Sequence, residues 1–276
     1  MLTSTSRRFT YLLAFLYALL GALLFFAPAQ SSSLFAWKVS PFVTMTIGAW
    51  CLGNAWLAWA TAKRWDWQHV RTALYYLWFF GLLETAVLVI FREKLQVVHP
   101  IAWLYVVTLI VNALAAVWGI SVALRSRSSI ESAGERPTLI MRIIIVAYVV
   151  FVAALGVFGA MRGLNGRGTT GAVFPEAMSA FSLSSFAAFY FALSLSALPL
   201  LWTRERGTLY HHGYASYGLV FIITAATFVY LDRFDFTARP LGLIYVGAYL
   251  LIGLITTYYL LKYRGGEKAR LSGGST

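Results

Sequence analysis

The chain has 276 residues, of which 60% are apolar, 17% aromatic and only 12% charged. Soluble domains carry about 25% charged and about 45–50% apolar residues, so a water-soluble globule is excluded, as is disorder, which needs low hydrophobicity. The net charge of +12 sits between apolar runs, which points to membrane topology and lipid headgroups rather than nucleic acid.

A bilayer-crossing helix needs about 20 mostly apolar residues. Eight runs qualify: residues 9–26, 41–61, 72–91, 101–124, 143–161, 177–203, 213–231 and 240–261. They are continuously apolar, whereas barrel strands are short and alternating, so the spans are expected to be helices.

The first run lies between Arg7-Arg8 and Ala27-Pro28-Ala29. It imitates a secretory signal with a small-residue cleavage site, and Ser6-Arg7-Arg8-Phe9 hints at a twin-arginine signal. Its 18 residues exceed the about 7–15 of a signal h-region, so it reads as a retained span. The second run opens at Pro41 and holds Thr44, Thr46, Asn54 and the single cysteine, Cys51, which can form no internal disulfide. The third carries Glu84, beside Thr85; no other Asp, Glu, Lys or Arg lies inside any of the eight runs. The fourth opens at Pro100 and sets Tyr105, Thr108, Asn112, Ala116 and Gly119 at helical spacing, a packing seam. The sixth offers Ser179, Ser182, Ser184 and Ser185, small hydroxyls that let helices approach closely.

Lys and Arg divide fifteen to seven between the two sides of an eight-span arrangement. The excess lies on the side of both termini, which are therefore expected in the cytoplasm, with the chain in the cytoplasmic membrane. Trp37, Trp65 and Trp67 fall beside span ends and are expected to anchor at the interfaces.

The chain also repeats itself. Pro100 with Tyr105 in span four matches Pro240 with Tyr245 in span eight, an offset of 140. Pro41 matches Pro175 at 134, and Leu20-Gly21 matches Leu155-Gly156 at 135. These collinear matches predict two four-helix repeats, 1–125 and 137–264, with a cytoplasmic linker at 126–136 and a disordered basic tail at 265–276. Four spans per repeat make the two parallel, related by an axis along the membrane normal.

An intramembrane carboxyl is costly and marks a functional site by default. Glu84 lies roughly 10 Å from the outer edge of its span at 1.5 Å rise per residue. Spans two to four are joined by short connections and should be neighbours, so Asn54, Glu84 and Asn112 are expected to converge as a polar cluster. Thr44, Thr46, Thr85 and Tyr105 would extend it, with Ser182 and Ser185 as secondary polar groups. Interhelical glue is the competing role for such groups, at about 0.6 kcal/mol per hydrogen bond. The second repeat lacks the cluster: Glu84 matches Thr224, Asn54 matches Ala188 and Asn112 matches Ile252.

No cofactor or metal is expected. The histidines His69, His99, His211 and His212 lie at span ends and lack metal-ligand spacing. No span interior offers a lysine for a Schiff base, and the glycine-rich loop after Arg162 lacks a phosphate-loop ending. Three functions remain. A non-catalytic membrane subunit or scaffold, with a membrane-protein partner or a second copy, suits the sparse polar chemistry. A small-solute or proton-linked transporter suits the duplication and the Glu84, Asn54 and Asn112 cluster. A membrane enzyme acting on a lipid would need Asp66 and His69, or Asp232 and Asp235, to converge at one headgroup level. Catalysis is the least supported of the three.

Overall fold

The computed structural model describes residues 3–125, 137–166, 168, 173–203 and 205–272, with side chains as far as 262. The linker expected at 126–136, part of the loop after Arg162 and the side chains of the basic tail lie outside the described residues.

The described chain is helical and contains no strand. Its helices are α1 (Ser4–Phe26), α2 (Pro28–Ser33), α3 (Pro41–Arg64), α4 (Trp67–Ile90), α5 (Pro100–Arg125), α6 (Leu139–Leu164), α7 (Ala180–Ala197), α8 (Arg206–Val229) and α9 (Gly242–Ser272). Seven of these, α1 and α4 to α9, are long and apolar enough to cross a membrane. That is the build of a polytopic membrane protein.

The remaining long helix, α3, matches the second predicted run but is more polar. Its 24 residues include Thr44, Thr46, Asn54 and Thr61, and eighteen of them are buried. A helix wrapped by protein needs no lipid-compatible surface, because its side chains face protein rather than hydrocarbon. The segment Ala27-Pro28-Ala29 enters the short helix α2, with Pro28 at its first turn, where the missing N–H costs nothing. The sixth run is shorter as an α-helix than predicted. It tightens into a 3-10 turn over Leu198–Leu201, since Pro199 cannot donate to the α-helical ladder.

Helix starts are set by side chains that satisfy free backbone donors. Ser40 accepts from Val43 N at 3.2 Å and Ser179 from Ser182 N at 3.1 Å. Between α3 and α4 only two residues intervene. Trp65 ends α3 in the left-handed region (φ 42°), and Asp66 caps α4 by accepting from Gln68 N at 3.2 Å.

The helices pack as a centre and a rim. α3, α8, α4 and α7 form the centre, with α3 against α8, α8 against α4, and α4 against α7. On the rim α1 lies along α3, α5 along α4, α6 along α7 and α9 along α8. α1 also packs on α5. The α1–α3 approach is backbone to backbone: a Cβ on Gly48 would stand 2.6 Å from Phe25 N, and one on Gly21 would stand 2.7 Å from Leu52 N. Across the centre, Trp50 of α3 stacks on Phe189 of α7 at 4.5 Å and meets Phe186 at 4.4 Å.

One expected interfacial anchor is a core residue. Trp37 is 3% exposed and stacks on Phe181 at 4.1 Å. Its indole N–H donates to Ser182 Oγ at 3.0 Å, so its polar edge is satisfied inside the protein and needs no water.

Candidate functional site

The polar residues of the first half come from α1, α3, α4 and α5, with Ser185 of α7 beside them. Glu84, on α4, is 1% exposed. Its Oε1 accepts from the Tyr105 hydroxyl of α5 at 2.5 Å. Ser185 of α7 lies beside the same carboxyl, yet neither Ser185 Oγ nor Glu84 Oε2 has a hydrogen-bond partner among the described residues. One helical turn inward, Asn112 Nδ2 donates to the Tyr17 hydroxyl of α1 at 2.7 Å, leaving Asn112 Oδ1 without a partner among the described residues. Asn54 stands beside Tyr76, with both its amide atoms and the Tyr76 hydroxyl short of hydrogen-bond geometry.

Asn54, Glu84 and Asn112 are therefore all sealed in one interior, at 0%, 1% and 0% exposure. They make no hydrogen bonds to one another; each has its own tyrosine neighbour, Tyr105 for Glu84, Tyr17 for Asn112 and Tyr76 for Asn54. Gly81, one turn before Glu84 on α4, brings that helix against the Asn112 amide: a Cβ there would lie 2.5 Å from Asn112 Cγ. A larger residue at 81 would push α5 away and open the cluster.

The other predicted polar residues divide into two groups. Thr85 reaches across to the Leu109 carbonyl of α5 at 3.4 Å, and Ser182 receives Trp37. Thr44 and Thr46 instead donate back into their own helix, to Ser40 and Phe42 carbonyls at 2.8 and 2.9 Å. They do not join the cluster, because back-bonding within one turn is the cheapest way to satisfy a threonine hydroxyl in an apolar interior.

A loop closes the site at the end where α3 begins. Phe35, Ala36 and Trp37 are at most 3% exposed, and Ala36 O accepts from Gln96 N at 2.7 Å. The rings of Phe35 and Trp37 stand edge-on to Tyr105 at 5.0 and 5.4 Å. Tyr17, Tyr76, Phe35 and Trp37 were not singled out as site residues by the sequence. The tyrosines were visible as mid-span hydroxyl carriers, whereas nothing local marks residues 35–37 as a plug.

At the opposite end, where α4 and α8 begin, His69 Nδ1 meets Asp66 Oδ2 at 2.5 Å and its Nε2 lies 3.9 Å from Glu205. Asp66 is half-exposed and serves as a helix cap, so this pairing has a structural role of its own. Asp232 lies 3.9 Å from Arg233, and Asp235 caps the backbone of Thr237 and Ala238. Among the described residues no three His, Cys, Asp or Glu side chains form a metal-binding group.

Comparison with protein-family models, curated proteins and solved structures finds no match for the chain.

Proposed function

We propose that the chain is an eight-span membrane protein of two parallel repeats, and that it is a small-solute transporter coupled to protons through Glu84. The eighth span is α3, whose polarity reflects its position inside the bundle.

One observation carries the reading. Glu84 Oε2, Asn54 Oδ1 and Nδ2, Asn112 Oδ1, Tyr76 OH and Ser185 Oγ are buried polar atoms that reach hydrogen-bond geometry with no partner among the described residues. Each such group away from water costs several kcal/mol. Packing does not require them: the matching positions of the second half are Thr224, Ala188 and Ile252. A proton on the carboxyl, or a solute bridging it to the amides, would satisfy these atoms. The tyrosine and serine hydroxyls that surround the carboxyl both donate and accept, as a proton relay requires.

The duplication rests on paired packing. α1 on α3 has its counterpart in α6 on α7, α5 on α4 in α9 on α8, and α3 on α8 in α7 on α4. Individual contacts repeat as well. Leu24 lies against Gly48, and 135 residues further on Gly159 lies against Leu183, with the glycine now on the other helix.

The test is proton movement into proteoliposomes that contain a trapped pH dye, with mixtures of small solutes added outside. The expected result is solute-dependent acidification that Glu84→Gln abolishes. Normal acidification in that variant would remove Glu84 from the mechanism. A second measurement is labelling by a hydrophobic carbodiimide, which modifies protonated carboxyls. Labelling of Glu84 in the folded protein is expected, and a carboxyl that never labels is a structural one.

The scaffold reading draws on closure. Glu84 is sealed on one side by Asn112 tying α5 to α1 and on another by Phe35 and Trp37. It predicts a stoichiometric protein partner after gentle purification from the native membrane, identified by mass spectrometry.

A further inference from the structure

The second half contains a groove between α6, α7, α8 and α9. Its lining includes Tyr148, Val152, Phe189, Ser216, Tyr245 and Ile252, and its open space is about 40 Å³. The repeat offsets place this groove over the Glu84 cluster. The α9 residues Tyr245, Ala248, Tyr249 and Ile252 match Tyr105, Thr108, Leu109 and Asn112 of α5 at 140. The α6 residues Tyr148 and Val152 match Leu13 and Tyr17 of α1 at 135. On α8, Ser216 matches Tyr76 at 140, and on α7 Phe189 follows the Asn54 counterpart, Ala188.

The same interhelical space therefore occurs twice, built differently. In the first half Asn112 hydrogen-bonds Tyr17 and closes α5 onto α1. In the second half the matching residues are Ile252 and Val152, which stand on the groove wall. α9 packs chiefly on α8, and α6 on α7, so the seam between α6 and α9 is where the groove opens to the side.

We propose that this groove is a binding site for one hydrocarbon chain of a membrane lipid, entering laterally between α6 and α9. Three properties select that occupant. The walls are almost wholly apolar, and the hydroxyls of Tyr190, Tyr245 and Tyr249 turn to one another and to Thr227. A polar solute would find few free partners there. Size excludes a partner helix: a single turn 10–12 Å across and 5.4 Å long fills roughly 400–600 Å³, far more than the groove's open space of about 40 Å³. The flanking surfaces, including Val150, Val157, Leu251 and Leu254, are exposed and apolar, which keeps the entrance continuous with the acyl region of a bilayer. Phe189 forms the inner wall and also meets Tyr76 and Phe80 at 6.3 Å, so the groove and the Glu84 site share a partition.

The site does not rest on the transport reading, and Glu84→Gln should leave it intact. The test uses the full chain in vesicles of phosphatidylcholine doped with a phosphatidylcholine that carries a diazirine on its palmitoyl chain. Irradiation and peptide mass spectrometry are expected to place adducts on residues 148–155 and 245–252, saturating at low probe fraction. Labelling of the lipid-facing Trp103 and Ile110 on α5 should instead rise linearly. Ala248→Phe, which fills the groove, should lower the first set about tenfold, the cost of displacing two buried methylene groups, and leave the second unchanged. Non-saturating labelling of the groove in the unaltered protein overturns the proposal without reference to any variant. So do equal labelling of a folded Ala248→Phe protein and cross-linking of the groove to another polypeptide.

Discussion

Thr208 donates its hydroxyl to the Gln68 carbonyl at 2.7 Å, and the two residues stand 140 positions apart, the spacing that separates Pro100 from Pro240. At the other end of the bundle Ser40 donates to Glu176, 136 positions away. Between them Trp50 meets Phe186, also 136 away. Under the proposed duplication Gln68 and Thr208 would be equivalent residues, and a two-fold axis would bring such residues face to face. The two halves of the chain interlock through α3 on α8, α4 on α7 and α4 on α8 rather than sit side by side.

Interlocking predicts that neither half folds alone. α3 buries a face on α8, and α4 buries one on α7. Co-expressed as separate chains, residues 1–125 and 137–276 should copurify in equal amounts through a tag on either one. Each expressed singly should aggregate or be degraded. A monodisperse isolated half would contradict the interlocked arrangement.

Gly48→Val should unfold the first half. The new Cβ would stand 2.6 Å from Phe25 N and 2.9 Å from Leu24 C, both backbone atoms that cannot rotate away. Overpacking typically costs about 1–3 kcal/mol and more where nothing yields. Gly247→Ala on α9 is the contrast, since nothing lies within 4 Å of its Cβ. It should be neutral, or stabilising by about 0.5–1 kcal/mol through lost backbone freedom. Thermal unfolding in detergent measures both.

Trp37→Ala should open the Glu84 site. The indole stands over Tyr105 and stacks on Phe181, so its removal uncovers the Tyr105–Glu84 pair from the α3 entry. Carbodiimide labelling of Glu84 should accelerate by about tenfold, equivalent to a barrier lowered by ~1.4 kcal/mol. Trp37→Phe, which keeps the stack and loses only the bond to Ser182, should label close to the unaltered rate. Equal rates for Trp37→Ala would place access elsewhere.

Topology is testable with single cysteines in a Cys51→Ser background. Arg125 ends α5 and Glu93 lies just past the end of α4; both are exposed. The lysine and arginine bias predicts that Arg125→Cys is cytoplasmic and Glu93→Cys is outside. In intact cells an impermeant maleimide should label Glu93→Cys at once and Arg125→Cys only after permeabilisation. The reverse pattern would invert the chain in the membrane.

Composition and periodicity alone determined that this chain is helical and suited to a membrane, because in lipid the apolar content and the need to satisfy the backbone internally leave few solutions. They also singled out Glu84, since one carboxyl among continuously apolar runs stands out without any structure. Other features depend on contacts between distant segments, which no local pattern records. Only the tertiary structure decided that Asn112 turns to Tyr17 rather than to Glu84, and that Thr44 and Thr46 bond within their own helix. It likewise decided that Trp37 plugs the interior instead of anchoring at an interface. Whether the space between two helices is closed by a hydrogen bond, as at Asn112 and Tyr17, or left as a groove, as at Ile252 and Val152, depends on how far apart the packed helices come to rest. That distance is set by the fit of many side chains at once.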